Sequence, residues 1–238
     1  MKILLEVGVD LTELLGITKY EPPIKIQMGA ARVSTFPPFI PKTDEIRVQS
    51  APGVIDELWG KPYYITQKMD GTSATYYAQD YKLHICSRNQ EIVEDNPNGE
   101  NLYWKIARKY GFHLSDGIAI QGEICGPGIQ KNRLKLFDHE FYPFNIWNID
   151  SQQYLPYDSL LEFAKLWQLP IIPLVASGSM YAWTLEQLLE MAVGTYSGTG
   201  NQREGIVVRP ESEMQSLVLK GRLSFKVISN EYLIQNNL

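Results

Sequence analysis

Short runs in which apolar and polar side chains alternate, rich in β-branched and aromatic residues, occupy the middle of the chain. Tyr63–Lys68, Thr72–Ala78 and Lys82–Ser87 read as strands of an antiparallel meander, joined by the turn formers Asp70-Gly71 and Gln79-Asp80. The period then lengthens. Asn101–Tyr110 reads as a helix, with a polar cap residue, basic side chains in its last turn and Gly111 beyond it. Ser159–Gln168 and Thr184–Val193 read as amphipathic helices, the second opened by a capping box of Thr184 and Gln187. Further strands are predicted at Ile118–Ile124, Glu140–Asn148, Gly205–Arg209, Leu217–Lys220 and Ser224–Ser229. Strands interrupted by a few helices, without regular alternation, predict an α+β fold with antiparallel sheets rather than a doubly wound one. The opening residues to about position 60 carry Glu21-Pro22-Pro23, Phe36-Pro37-Pro38-Phe39 and Pro41-Lys42, which predicts an extended wrap around the core of a single domain, residues 1–238.

Composition narrows the class. The 238 residues suffice for a sizeable core, and 44% hydrophobic with 21% charged residues excludes disorder. No run approaches the roughly 18 apolar residues of a membrane span, so no membrane partner is expected. Acidic residues interrupt the apolar N-terminus, which makes a poor secretory signal. Cys86 and Cys125 are too few for a disulfide framework and read as reduced, apolar fillers in a cytoplasmic protein. Three histidines (His84, His113 and His139) without a CxxC argue against structural zinc. A net charge of −5 excludes a globally basic nucleic-acid coat protein while leaving room for one basic face.

Candidate chemistry starts at Lys68-Met69-Asp70-Gly71-Thr72. Lys68 ends a strand and Asp70-Gly71 turns the chain, so the ammonium projects beside a sharp bend; alone, that pattern equally suits a solvated lysine. Other pieces follow in order: Ser87-Arg88-Asn89, then Gly122-Glu123-Ile124-Cys125-Gly126-Pro127-Gly128, then Tyr142-Pro143-Phe144-Asn145-Ile146. Arg203-Glu204-Gly205-Ile206-Val207-Val208-Arg209-Pro210 and Leu219-Lys220-Gly221-Arg222-Leu223-Ser224-Phe225-Lys226 complete the set. This ordered set resembles the covalent nucleotidyltransferase superfamily of polynucleotide ligases and mRNA capping enzymes. Its texture is most similar to ATP-dependent RNA ligases, in the branch whose nucleotidyltransferase domain follows an N-terminal OB domain. The resemblance runs from about Tyr63 to Ser229.

The resemblance implies an ATP-grasp-like adenylyltransferase domain of two antiparallel β-sheets flanked by helices, with no OB domain evident in this chain. It implies ATP as cofactor, held as lysyl-AMP on Lys68, with Mg²⁺ or Mn²⁺. Attack on the α-phosphorus needs a neutral amine, and a lysine pKa near ~10.4 must fall, through nearby cations and burial. Asp70 either caps its own turn or helps hold the lysine and the metal's water shell, and Gly71 borders the nucleotide with it. Alternation puts Thr66 on the face of Lys68, and by resemblance its backbone meets the adenine edge. Arg88 grips ribose or phosphate oxygens, and the aromatic ring of Phe144 stacks on the purine, with Tyr142 on the same face. Asn145 stands where the family often has an acid. Glu123 and Glu204 are the expected metal pair.

If the last strand is unbroken, residues 220, 222, 224 and 226 share a face. Lys220 is then the first choice for the α-phosphate contact and Lys226 the second, with Arg222 beside them; a bulge at Gly221 would undo that alternation. The loop Gly126–Lys135, with Lys131, Arg133 and Lys135, is either a solvated face or a nucleic-acid contact. The expected partner is a nucleic acid with 5′-phosphate and 3′-OH ends, such as a nicked RNA-containing duplex, acted on by a monomer. A DNA ligase, a GTP-using capping guanylyltransferase and a catalytically silent nucleic-acid-binding module are the alternatives.

Overall fold

The computed structural model describes Gly16, residues 34–94 and residues 101–236. The first proline cluster of the expected wrap, Glu21-Pro22-Pro23, lies outside the described residues. In chain order the elements are β1 (Ser34–Thr35), β2 (Ile46–Arg47), α1 (Val54–Leu58), β3 (Tyr63–Lys68), β4 (Thr72–Gln79), β5 (Lys82–Cys86) and β6 (Gln90–Glu91). There follow α2 (Leu102–Tyr110), β7 (Ile118–Cys125), β8 (Glu140–Asn148), β9 (Gln153–Tyr154), α3 (Tyr157–Leu166), β10 (Leu174–Gly178) and α4 (Leu185–Ala192). The last third holds β11 (Gly205–Pro210), β12 (Gln215–Ser216), β13 (Gly221–Arg222), β14 (Phe225–Ile228) and α5 (Asn230–Asn236).

Two sheets carry the architecture, in the orders β1-β6-β5-β4-β7-β8-β9 and β10-β3-β11-β14-β2; β12 and β13 pair apart from both. The expected α+β class with antiparallel sheets is what forms, with one parallel pair where β2 joins the edge at β14. Residues 34–60 thus reach both sheets, β1 at the edge of one and β2 at the edge of the other.

Local chemistry explains the elements. The β4–β5 hairpin turns through Asp80 and Tyr81, at φ 51° and 58°, the left-handed pair that matches strand twist. Asn101 caps α2 by accepting from the Tyr103 N–H, and Gly111, at φ 63°, ends it. The Thr184/Gln187 capping box opens α4. The third helix begins after Pro156, two residues earlier than the periodicity suggested.

Each sheet has its own helix-backed core. On β7, Ile120 and Ile124 pack with Ile106 and Ala107 of α2 and Leu160 and Ala164 of α3, while Glu123 between them points to the other face. On β3, Tyr63 and Ile65 pack with α1 and α4, leaving Thr66 and Lys68 on the face that looks back at the first sheet. A cleft lies between these inner faces. No described helix is long and apolar enough to cross a membrane.

Arg209 ties the sheets together across that cleft. From β11 its guanidinium donates to the Phe144 carbonyl of β8 at 3.0 Å, to Ser224 Oγ at 2.9 Å and to Glu45 Oε1 at 2.8 Å. Burial alone would raise the Glu45 carboxyl, but the Arg209 and Arg222 charges and hydrogen bonds from Arg209 and Ser224 outweigh it, and its pKa is lowered. A folded-state pKa below the unfolded one makes Glu45 stabilising above the ordinary glutamate range, and that stability fades as pH falls through the folded value. Glu45→Ala, which leaves Arg209 buried and unpaired, is expected to cost about 3–5 kcal/mol in denaturant unfolding at neutral pH. The gap from wild type should narrow on acidification.

Candidate active site

The cleft has a volume of about 440 Å³, and its lining includes Thr66, Lys68, Asp70, Gly71, Arg88, Glu123, Phe144, Glu204 and Lys226. Four strands of both sheets, two turns and the residue that leads into β11 therefore deliver nearly all the residues that the motifs single out. Register does the positioning. Lys68, the last residue of β3, pairs with Gly205, so Glu204 arrives beside the nucleophile candidate; Val207 pairs with Lys226 of β14. Lys68 Nζ donates to Glu204 Oε2 at 2.8 Å, both side chains being partly buried. At the turn, a Cβ on Gly71 would stand 2.4 Å from the Ile124 carbonyl and 2.7 Å from Glu123 Cγ, so only glycine lets the bend lie against β7.

The chain's own charges do not by themselves lower the Lys68 pKa. Burial works to lower the Lys68 amine, but the Glu204, Glu123 and Asp70 carboxylates outweigh it, and the pKa is raised. Lys68 is a paired ammonium here, because carboxylates rather than cations surround it. A further cation beside those carboxylates would weaken their hold on the ammonium. The Glu123 backbone is paired in the sheet, but its carboxylate makes no hydrogen bond or ion pair with any described residue. Burial, helped by Glu204 and Asp70 and opposed by Lys68 and Arg88, pushes its carboxyl up to about 7.

No cluster of three or more His, Cys, Asp or Glu side chains forms a metal cage among the described residues. Two carboxylates, one of them unpartnered, instead suit a hard divalent ion that keeps most of its waters and shares phosphate oxygens. Glu123 and Glu204 fit that role. Lys226 also faces the cleft, its pKa lowered by burial and by the charge of Lys68.

Two expected residues are elsewhere. Residues 217–220 form no strand but the turn of the β12–β13 hairpin, where Glu57 Oε1 accepts the N–H groups of Leu217 and Val218. Lys220 sits in this turn at φ 52°, exposed and outside the cleft. Three separate pieces replace the single strand assumed, so positions 220, 222 and 226 share no face. Arg222 lies 3.8 Å over the Tyr154 ring, donates to Asn145 Oδ1 at 2.7 Å and pairs with Glu213. It lines a second cavity, of about 650 Å³, rather than the first. Asn145 serves there as the Arg222 acceptor.

Phe144 reaches the cleft through a bulge. Gln121 pairs with Asn145 and Gly122 with Pro143, leaving Phe144 as the extra residue. Tyr142 packs with Met69 and Cys125 instead of lining the cleft. Arg88 is ion-paired to Asp44 at 2.6 Å. The basic loop turns partly inward: Arg133 Nε donates to Asp70 Oδ2 at 2.7 Å, its guanidinium lies 4.9 Å from the Tyr232 ring, and Lys131 donates to Asn236. Asp70 is thus held by Arg133, a partner that no local spacing announces. Cys86 and Cys125 are free and buried, their thiols pushed up first by burial, as fillers would be.

The family profile described as RNA ligase matches residues 61–228. No curated protein sequence matches. Among solved structures, Naegleria gruberi RNA ligase with PPi superimposes with a TM-score of 0.80 at 36% identity, over 98% of this chain and 68% of that one. A lysine-to-alanine variant of that ligase with ATP and Mn gives 0.80 at 35% identity, over 98% and 68%. A lysine-to-methionine variant with AMP and Mn gives 0.81 at 36%, over 97% and 68%. With a matched segment that spans the cleft and both sheets, the chain belongs to the RNA ligase family.

Proposed function

We propose that this RNA ligase family member joins RNA ends with ATP through a lysyl-AMP intermediate on Lys68. The observation that carries the reading is the Lys68–Glu204 contact of 2.8 Å inside a cleft that also presents Glu123, Arg88 and Lys226. The neutral Lys68 amine attacks the α-phosphorus of ATP. A nitrogen–phosphorus bond forms, the bond to the bridging oxygen breaks, pyrophosphate leaves, and the amine's proton is released to solvent. An oxygen of an RNA 5′-phosphate then displaces Lys68 from the adenylyl phosphorus. Finally a 3′-OH attacks that 5′-phosphorus and AMP departs.

Lys226 is the cation placed to meet α-phosphate charge, and Arg88 the one placed for ribose or phosphate oxygens. Thr66 and Phe144 form the nucleobase end of the cleft. Asp70, fixed by Arg133, steadies the turn that carries Lys68. A bound Mg²⁺ or Mn²⁺ at Glu123 and Glu204 would neutralise phosphate charge. Family membership gives RNA as the substrate class; a nicked duplex read by a monomer is the finer proposal.

Nucleotide and strand choice test the reading together. With labelled ATP the chain should become labelled, and with labelled GTP it should not. Nicked duplexes with RNA on the 3′-OH side should be sealed in preference to all-DNA nicks. Labelling by GTP alone, or preference for DNA, would replace the proposal with a capping or DNA-joining one.

A further inference from the structure

We propose that Tyr196 is a positioning residue whose hydroxyl fixes the separation of the Lys68 and Glu204 backbones, an inference that rests on the nucleotidyl-transfer reading above. The hydroxyl donates to the Lys68 carbonyl at 2.8 Å and accepts from the Glu204 N–H at 3.3 Å. Both bonds fall where the β3–β11 ladder stops, since Lys68 and Gly205 are its last pair. Beyond that pair no β3–β11 ladder bond joins the two strand ends; the Glu204 carbonyl accepts from the Ser229 N–H at 2.9 Å on the β14 side, and Tyr196 supplies the link to Lys68.

The ring is 3% exposed and packs with Met69, Cys125, Tyr142 and Ile172, so the hydroxyl is held by a rigid body. Tyr196 is not among the residues lining the cleft, and it therefore acts through the backbone rather than on a ligand. Its own loop is braced. The Tyr196 N–H donates to the Asn201 carbonyl at 2.9 Å, and Asn201 Nδ2 donates to the carbonyl of Arg133, the partner of Asp70, at 2.7 Å. One loop thus references the nucleophile, the Glu204 carboxylate and the Asp70 clamp to a common frame. The Lys68–Glu204 contact is short, so a small splaying of the strand ends moves the amine off its line of attack without emptying the cleft.

The experiment compares wild type, Tyr196→Phe and Tyr76→Phe in single-turnover formation of the AMP adduct across an ATP titration, followed by intact mass. Tyr196→Phe keeps the ring and its packing and loses only the hydroxyl. Tyr76→Phe is the remote control, a buried tyrosine that loses one hydrogen bond to the Tyr103 carbonyl. The expected result is a maximal rate lowered about 10- to 100-fold in Tyr196→Phe. Its half-saturating ATP concentration should move by no more than about twofold, and Tyr76→Phe should keep the wild-type rate. A wild-type rate in Tyr196→Phe overturns the inference. So does an equal slowing in Tyr76→Phe, or a raised half-saturating concentration with the maximal rate unchanged. Failure of the wild-type chain to form any adduct would overturn the lysyl-AMP reading itself, an outcome distinct from these.

Discussion

Incubated with ATP and a divalent cation, the wild-type chain gains the mass of one AMP and Lys68→Ala gains none. The expectation follows from placement: of the two lysines lining the cleft, Lys68 is the one 2.8 Å from Glu204 and directly preceding the glycine-bearing turn. Lys226 enters from β14 on the other side of β11 and meets charge rather than forming the bond. Lys226→Ala should therefore still yield adduct, only slowly, with losses of the ~10²–10³-fold size seen when a preorganised charge partner is removed. Lys220→Ala, altered in an exposed hairpin turn, should react at the wild-type rate. An adduct on Lys68→Ala would show that another side chain carries the nucleotide, and a slow Lys220→Ala would return that residue to the site.

Glu204→Gln is expected to slow adduct formation by a similar ~10²–10³-fold while barely changing the melting temperature. The substitution keeps the side chain's shape and an oxygen that accepts from Lys68 Nζ, so hydrogen-bond geometry survives. What disappears is the negative charge, one of the two available to a divalent ion, Glu123 being the other. A partly exposed ion pair contributes only about 0–1 kcal/mol to folding, which is why stability should hold. A rate loss matched by a comparable loss of stability would make Glu204 a structural residue, and an unchanged rate would remove it from the metal pair.

The parts of the fold legible in the chain are those where a local rule decides. Tyr63–Lys68 and Glu140–Asn148 end where their alternation and flanking turns say they should, and the capping box of α4 is written in two residues. Lys68, Glu123 and Glu204 could be nominated because each falls in one of the ordered motifs, Lys68 three residues before Gly71, Glu123 just after Gly122 and Glu204 just before Gly205. Their convergence could not, since it depends on pairings between residues more than 40 positions apart. Alternation failed where the backbone leaves the pleat: at the bulge that carries Phe144, and at Lys220, whose left-handed conformation the sequence does not flag. The structural roles of Arg209, Arg133 and Tyr196 are not legible, for another reason. Each works through a partner from a distant segment, and none has a spacing signature of its own.

The β12–β13 hairpin hangs off the main sheets, between a strand that ends at Pro210 and one that starts at Phe225. The number of residues separating Glu204 from Lys226 is consequently a matter of ornament rather than of catalysis. Relatives with a trimmed or enlarged appendage can present the same two side chains at quite different intervals. Correspondence at this end of the molecule is better sought by the rung of β11 that each residue faces than by counting along the polypeptide.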